Sequence, residues 1–199
     1  MKPLGQAFFR RPAELVAREL LGARLLASFG SLRLSGIISE TEAYLGRDDP
    51  ASHAYQGRRH DANQSLYGPP GTWYVYRSYG IHWCANLVCG LPAPGGAVLL
   101  RGILPVEGIP VMRRRRRGIA EPELTNGPGK LCQALGITRE LDGQLMWQSP
   151  VAVAAPEAGA ADALLVTPRI GISKAVDWPL RFVLPAPALP ASLLAAAAG

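Results

Sequence analysis

The sequence lacks the features of several common protein classes. Its 199 residues contain three cysteines, an odd number without a C-x-x-C pair, so a disulfide framework and a paired zinc motif are not expected. No apolar run is long enough to span a bilayer, and residues 1–6 lack the apolar segment of a signal peptide. We therefore expect a cytoplasmic protein with reduced thiols and no membrane association.

Sequence signatures of common catalytic sites are also missing. There is no Walker A sequence, no G-x-S-x-G nucleophile elbow and no dinucleotide-binding fingerprint. His82 and Cys84 would share one face of a strand with Cys89 nearby, but a fourth ligand has no candidate. We expect no metal and no cofactor, and we interpret the cysteines as structural thiols.

The composition that is present indicates one basic, loop-rich domain. Hydrophobic residues make up 48% of the chain, 22 glycines and 18 prolines punctuate it, and the formal net charge is +6. A chain of this length can bury a sizeable core as a single domain. The positive charge favours anionic partners, with nucleic acid ahead of membrane.

Local patterns predict a mixed α+β fold. Apolar spacing with early prolines and terminal glycines predicts helices at 11–22, 110–118 and 128–136. Dense β-formers predict strands at 23–28, 32–44, 72–77, 81–88, 97–104 and 180–184. We expect one domain over residues 1–199, with a curved antiparallel sheet, peripheral helices and a protruding β-hairpin. Its ends, 1–10 and 186–199, are expected to fray.

The predicted strand at 37–44 carries an unusual polar face. Alternation places Ile38, Glu40, Glu42 and Tyr44 on one side. Two carboxylates and a ring there indicate a floor that faces water, substrate or a cationic partner, although a solvated edge is the plainer interpretation. One carboxylate could activate a water while the other supports it, and the residues leave open which does which. The run 45–65 that follows is too rich in glycine and charge to pack.

Aromatic and imidazole side chains are concentrated within forty residues of this strand. They are Tyr44, Tyr74, Tyr76, Tyr79, Trp83, His53 and His82. Such rings can stack on nucleobases, at about 1–3 kcal/mol per base, or form an ordinary core, as we expect for Trp73 and Trp83. Tyr79 occupies the predicted hairpin tip, where small polar residues are usual, so it resembles an element that inserts between bases.

Basic side chains form three candidate contacts with a phosphate backbone. Arg58 and Arg59 lie in the polar run, and five arginines at 113–117 end a predicted helix. Solvated charge at a helix end explains the latter run about as well as phosphate binding does. Lys130 follows Gly127-Pro128-Gly129 at a predicted helix start, where free N–H groups can bind phosphate.

Seven short motifs, in this order and spacing, resemble the alkyladenine (3-methyladenine) DNA glycosylase family. The motifs are Glu40–Gly46, Asp48–His53, Gly68–Gly71, Tyr74–His82, Cys84–Asn86, Val98–Arg101 and Gly127–Leu131. The resemblance extends from about Leu15 to Phe182 and implies a single α/β domain around an antiparallel sheet. It also implies a bacterial-type, monomeric repair enzyme, used at the nucleoid, that flips a damaged purine from duplex DNA and hydrolyses its N-glycosidic bond without strand cleavage.

The resemblance also implies roles for individual residues. Glu42, rather than Glu40, matches the catalytic base that activates water. Tyr44, His53 and Tyr76 match the residues that line the base pocket, and Asn86 matches one that crowds the amino group of normal guanine. Tyr79 matches the ring that fills the gap in the stack, and Arg101 matches a residue near the flipped nucleotide's phosphate. The family's arginine near 60–63 is absent, so Arg58, Arg59 or the 113–117 run would compensate for it.

Two other classes of function are compatible with parts of the pattern. A non-catalytic module that binds damaged DNA or RNA would also use positive charge and aromatic rings. A carbohydrate hydrolase would use Glu40 and Glu42, but the basic charge disfavours it. The combination of Glu42, Tyr44 and His53 favours an enzyme over a binding module.

Overall fold

The computed structural model describes residues 2–90, 94–156 and 164–185. These residues form one open sheet of eight strands with helices packed around it. The strands are β1 (Arg24–Phe29), β2 (Leu32–Leu45), β3 (Trp73–Ser78), β4 (His82–Cys89), β5 (Gly96–Glu107), β6 (Val151–Ala154), β7 (Leu165–Thr167) and β8 (Arg181–Val183). The α-helices are α1 (Gln6–Phe9), α2 (Ala13–Glu19), α3 (Ile109–Arg115) and α4 (Pro128–Leu135). Short 3₁₀ helices span Gly46–Asp48, Tyr55–Gly57, Asp61–Tyr67, Glu121–Glu123, Arg139–Leu141 and Met146–Gln148.

Strand β2 is the centre of the sheet. It pairs with β5 along one edge, and on its other edge it pairs first with β1 and then with β8. The strand order is β3-β4-β5-β2-β1-β6, and β7 joins through β8. Every one of these pairings is antiparallel. The predicted α+β domain with an antiparallel sheet and peripheral helices is confirmed.

The β-hairpin is present where the sequence predicts it. Ser78 pairs with His82, which leaves Tyr79, Gly80 and Ile81 as the connecting loop. Tyr79 and Gly80 both have positive φ, 50° and 69°. Gly80 adopts this conformation without a steric cost, whereas Tyr79 adopts it at a cost of about 1–2 kcal/mol. A large side chain is therefore held at the tip against its backbone preference.

The helix predicted over 11–22 is shorter in the structure, and its apolar face explains why it docks. Val16, Ala17 and Leu20 are all completely buried, and the hydroxyl of Thr41 on β2 donates to the carbonyl of Ala17 at 2.8 Å. Burying a Leu or Val side chain contributes about 1.5–3 kcal/mol. Helix α2 thus covers the face of β2 opposite to its carboxylates. No helix in the described ranges is long and apolar enough to cross a membrane.

Two expectations about local packing are wrong. Residues 1–10 do not fray as a unit, since Phe9 is completely buried and the N–H of Leu4 donates to Val153 at 2.8 Å. The run 45–65 packs in part despite its polarity: Asp49 and Asn63 are fully buried, and their side chains satisfy backbone groups of the same run, whereas residues 56–62 are exposed. Residues 186–199, expected to fray, lie outside the described residues.

Candidate active site

The carboxylates of β2 do not form a solvated edge. Glu42 has 0% of its surface exposed. Its Oε2 accepts a hydrogen bond from the hydroxyl of Tyr44 at 2.8 Å, and its Oε1 accepts one from the backbone N–H of Ile170 at 2.8 Å. A buried charge is tolerated only when it is paired and hydrogen-bonded, and these contacts meet that need in part. The plainer interpretation of this strand is therefore excluded.

Arg101 of β5 connects the two carboxylates. Its Nε donates to Oε1 of Glu40 at 2.8 Å, and its Nη1 lies 3.3 Å from Oε1 of Glu42. Arg181 of β8 donates to the same Glu40 oxygen at 2.6 Å. Two carboxylates and two guanidinium groups therefore alternate across three adjacent strands. The polar face predicted for β2 is real for Glu40, Glu42 and Tyr44.

Ile38 does not belong to this polar face, contrary to the prediction from simple alternation. Its side chain is fully buried within the main hydrophobic core. The register between β2 and β5 shifts between Ile38 and Glu40 and again between Glu40 and Thr41. An inserted residue in a strand interrupts the two-residue period and re-aims the side chains that follow.

Burial dominates the ionisation of Glu42. Desolvation raises the pKa of its carboxyl group, and the charge of Glu40 adds to this effect. Arg101, the Ile170 N–H and the Tyr44 hydroxyl oppose the shift without cancelling it. Burial and the neighbouring carboxylate raise the pKa of Tyr44 far above neutrality, so its phenol stays a donor. Glu42 is consequently a stronger base than an exposed glutamate.

A cavity of about 670 Å³ opens over this network. The three groups that contact Glu42 all contribute to its lining, through Tyr44, Arg101 and Ile170. The remaining lining includes Pro50, Ala51, Ser52, His53, Leu66, Tyr74, Tyr76, Cys84, Asn86, Ala97, Leu99, Pro128 and Lys174. Its size falls within the range of about 300–1,000 Å³ that is typical of small-molecule sites. The groups that hold Glu42 therefore line a cavity of a size suitable for a small ligand.

One wall of the cavity is a cluster of rings. Tyr74 and Tyr76 stack with centroids 5.3 Å apart, and His53 meets Tyr76 edge to face at 4.6 Å. Nδ1 of His53 and the hydroxyl of Tyr74 are 2.8 Å apart. Partial desolvation lowers the pKa of His53, although the residue is exposed on one side, so the neutral imidazole is favoured at pH 7. The wall thus presents uncharged aromatic surface.

Asn86 and Cys84 line the cavity from strand β4. The side-chain amide of Asn86 donates to the carbonyl of Tyr74 at 3.1 Å, which fixes its orientation across the β3–β4 pair. Burial raises the pKa of the Cys84 thiol, so it remains protonated. Cys89 and Cys132 are buried as well, and all three thiols are free. Within residues 2–90, 94–156 and 164–185, no three His, Cys, Asp or Glu side chains could hold a metal.

The hairpin tip projects beside the cavity. The side chain of Tyr79 contributes to the cavity rim and is 88% exposed, and its neighbour Ile81 is also exposed. The structure therefore separates Tyr79 from the hydrophobic core. Trp73, in contrast, is fully buried as expected, and Trp83 packs partly against the core with Arg77 over its ring.

The basic residues predicted to contact a phosphate backbone differ in their exposure and in their contacts. Arg58 and Arg59 are exposed; Arg58 borders a second groove of about 640 Å³ and Arg59 lies over the ring of Tyr67. Lys130 is at the start of α4, as predicted, but its ammonium group pairs with Glu123 at 3.2 Å. Arg101 faces the two carboxylates, as described above.

The arginine run at 113–117 divides into two groups. Arg115 donates to the carbonyl of Ala134, and Arg116 donates to Gln133 and to the carbonyl of Leu124. These two side chains therefore tie the end of α3 to α4. Arg113, Arg114 and Arg117 are exposed.

One element of the site was missed by the sequence analysis. The loop that follows β7 carries Arg169, whose guanidinium is completely buried and forms a bidentate pair with the equally buried Asp49. Arg169 also donates to the carbonyl of Ala43 and lies over the ring of Tyr44 at 4.7 Å. This anchor places the adjacent Ile170 N–H on Glu42.

The same loop brings a lysine to the cavity. Lys174 contributes to the lining, and its ammonium group lies 5.9 Å from the ring centre of Tyr55. The sequence analysis placed no lysine there. Its position on an irregular loop, far from the other motifs in the chain, left no signal that could have indicated it.

Comparison with known proteins agrees with the resemblance seen in the motifs. Residues 7–188 match the family model of methylpurine-DNA glycosylases. The chain is 51% identical to a protein of Agrobacterium fabrum over 90% of its own length and 87% of that protein's, and 48% identical to one of Granulibacter bethesdensis over 88% and 81%. Both relatives are named "Putative 3-methyladenine DNA glycosylase". A match over nearly the whole chain, at about half identity, shows that the chain belongs to the methylpurine-DNA glycosylase family.

Proposed function

We propose that the protein excises alkylated or deaminated purines from double-stranded DNA by hydrolysing the N-glycosidic bond, and so starts base excision repair. The observation that carries this proposal is a buried, hydrogen-bonded carboxylate beneath a ring-walled cavity. Glu42 contacts Tyr44, Arg101 and Ile170, and all three line that cavity. Membership of a DNA glycosylase family indicates that the N-glycosidic bond is the one broken by the water that such a carboxylate activates.

The base reaches the cavity by leaving the DNA stack. Extruding a nucleotide costs a few kcal/mol and is cheapest for a damaged, weakly paired base. Tyr79 inserts into the gap, and the support for this role is its exposed ring at the hairpin tip beside the cavity. The strained backbone of Tyr79 fits a residue retained for such a contact.

The ring-lined wall then holds the purine. Tyr76 and His53 offer aromatic surface, and Tyr44 also lines the cavity. An alkylated purine carries positive charge and is attracted to aromatic faces. Because partial desolvation lowers the pKa of His53 and favours its neutral form, that wall does not repel a cationic base. Asn86, fixed by the Tyr74 carbonyl, crowds the amino group of normal guanine and excludes it.

Glu42 acts as the general base. Its carboxylate takes a proton from a water, the water oxygen bonds to the sugar C1′, and the C1′–N bond breaks with its electron pair leaving on the purine. A purine alkylated at a ring nitrogen is cationic and leaves as a neutral base, whereas hypoxanthine leaves as an anion and takes a proton from water. Because Glu42 is completely covered in the free protein, a shift of Tyr44 or of the Ile170 loop must admit the water when DNA binds.

The DNA backbone is held by basic residues around this site. Arg101 lines the cavity and faces the flipped nucleotide and its phosphate, while Lys130, Arg58 and Arg59 contact flanking phosphates. Phosphate neutralisation of this kind makes affinity depend strongly on salt. The protein works as a monomer on the bacterial chromosome, and a 1:1 complex in size-exclusion chromatography with light scattering is the expected result.

The reaction stops at base release. A strand-cleaving enzyme needs an amine that attacks C1′, and Lys174 is the lysine that lines the cavity. Its ammonium group lies 5.9 Å from the ring centre of Tyr55, and we expect it to form no covalent Schiff base. Borohydride treatment during turnover therefore leaves no protein–DNA adduct, whereas a trapped adduct that Lys174→Met abolishes would contradict a purely hydrolytic enzyme.

A base-release assay tests the proposed function. Duplexes with one 3-methyladenine or hypoxanthine are incubated with the protein, and abasic sites are converted to strand breaks by alkali. The parent protein releases the base, whereas a non-catalytic DNA-binding module binds the duplex and releases nothing. Glu107→Gln is the matched control, because Glu107 is an exposed carboxylate at the end of β5.

A further inference from the structure

Glu40 has no part in the reaction as proposed, yet its carboxylate is held by two arginines. One oxygen, Oε1, accepts hydrogen bonds from two guanidinium groups, at 2.8 Å from Nε of Arg101 and 2.6 Å from Nε of Arg181. Arg181 is itself fixed by a bond of 2.9 Å from its Nη1 to the hydroxyl of Thr167. Strands β2, β5 and β8 thus meet at one carboxylate oxygen, and β7 supports Arg181.

This arrangement determines how Arg101 meets Glu42. A guanidinium group is a rigid planar fork, so anchoring its Nε fixes where the other nitrogens lie. With Nε bound to Glu40, Nη1 is left 3.3 Å from Oε1 of Glu42, a longer contact than the 2.8 Å to Glu40. Arg101 therefore interacts with both carboxylates, and its interaction with Glu42 is the weaker of the two.

We propose that Glu40 is a positioning residue, which holds Arg101 between the two carboxylates and thereby sets the strength of Glu42 as a base. The inference rests on the proposed role of Glu42 and assigns a task to its neighbour.

The remaining groups around Glu42 leave this effect visible. The titratable and charged groups that face it or its partners are Tyr44 on β2, Tyr76 on β3, Cys84 on β4, Arg101 on β5, Arg169 on the loop after β7 and Arg181 on β8. Tyr44 and Cys84 stay protonated near neutral pH, so the local balance is between two carboxylates and the arginines. Removing the charge of Glu40 eliminates a like charge and weakens its attraction for Arg101, so Arg101 interacts more strongly with Glu42. Both consequences lower the pKa of Glu42.

Removal of Arg181 acts in the opposite direction. Without it, Glu40 is paired with Arg101 alone and attracts that side chain more strongly. The contact between Arg101 and Glu42 then weakens, and Arg101 is the only guanidinium partner of Glu42 among the described residues. The pKa of Glu42 then rises. A purely structural role for Glu40 predicts lower stability in both variants but no such opposite shifts.

The test is a ¹³C NMR titration of the glutamate carboxyl groups, with Glu42→Gln used to assign the resonance of Glu42. We expect Glu40→Gln, which keeps an oxygen acceptor for both arginines, to shift the Glu42 midpoint down and Arg181→Met to shift it up. Glu107→Gln, with the same change in net charge, leaves the midpoint unchanged. Glu40→Ala, which frees Arg101, lowers single-turnover base release about 10- to 100-fold, as displaced catalytic groups do.

The outcomes separate this inference from the proposed function. Unchanged Glu42 midpoints in Glu40→Gln and Arg181→Met, with only the melting temperature lowered, would overturn the positioning role. Opposite shifts in a protein whose Glu42→Gln variant still releases base at the parental rate would keep the positioning role and remove Glu42 as the base. If Glu40→Gln does not fold, the upward shift in Arg181→Met carries the test.

Discussion

We expect Asp49→Asn to lower the free energy of unfolding more than any other equally small substitution near the site. Both Asp49 and Arg169 have 0% side-chain exposure, and Asp49 accepts two bonds from Arg169 and two from the backbone N–H groups of Leu45 and Ala51. An asparagine turns one of its two acceptors into a donor that faces existing donors, and it leaves the Arg169 charge uncompensated. Breaking a buried ion pair in this way costs about 3–5 kcal/mol.

The loss is large enough to measure by thermal unfolding. For a chain of about 150–250 residues, 1 kcal/mol corresponds to about 2–4 °C in Tm, so we expect Asp49→Asn to lower Tm by roughly 6–20 °C. The control is Asp48→Asn. The side chain of Asp48 is 82% exposed, and its ion pair with Arg47 is long, with 3.8 Å between Oδ1 and Nε. Such exposed pairs contribute about 0–1 kcal/mol. Circular dichroism melts of both variants at pH 7 provide the comparison.

A double-mutant cycle identifies the ion pair as the cause. Arg169→Gln alone should also be strongly destabilising, and the double variant should cost much less than the two single changes added together. A Tm for Asp49→Asn within about 2 °C of the parent, or strictly additive effects, would refute the reasoning that the pair anchors the Ile170 loop.

Two further predictions concern the hairpin tip and the pH dependence. Tyr79→Ala should weaken binding to lesion DNA by about 1–3 kcal/mol, measured by fluorescence anisotropy, and leave Tm nearly unchanged because the ring is exposed; a large fall in Tm would place Tyr79 in the fold instead. The pKa of Glu42 is raised in the folded protein, so its stabilising contribution is complete below the unfolded pKa and is lost as pH rises through the folded one. Glu42→Gln should therefore melt at or above the parental Tm at pH 7 and lose that advantage near pH 4. In the parent protein, the rate of base release should fall on acidification with a midpoint, the acid limb, above the ordinary glutamate pKa. A limb at or below the ordinary value would contradict the raised pKa.

Local sequence patterns were sufficient for the elements that carry most of the site. Alternating β-formers around Ser78-Tyr79-Gly80 predict the hairpin and its exposed tip, and both are present. Alternation in β2 also groups Glu40, Glu42 and Tyr44 correctly, because the side-chain period of a strand is fixed at two. The prediction fails at Ile38, where the register with β5 shifts and the period is interrupted.

Contacts made by irregular loops could not be predicted in the same way. The bond from Ile170 to Glu42 and the pair of Arg169 with Asp49 join residues more than a hundred positions apart. No local period connects them, and a buried arginine has the same sequence signature as a solvated one. The burial of Asp49 and Asn63 within the polar run 45–65 was missed for a related reason. Their side chains form hydrogen bonds with backbone groups, and composition does not reveal such bonds.

The central claim is that Glu42 activates the water that breaks the N-glycosidic bond. The most direct measurement is single-turnover release of hypoxanthine or 3-methyladenine from a duplex by Glu42→Gln, with affinity for the same duplex measured in parallel. We predict that release falls by about 10²–10⁴-fold, the usual contribution of a general base, while binding stays close to that of the parent and of Glu107→Gln. Release at the parental rate by a well-folded Glu42→Gln protein would contradict the account.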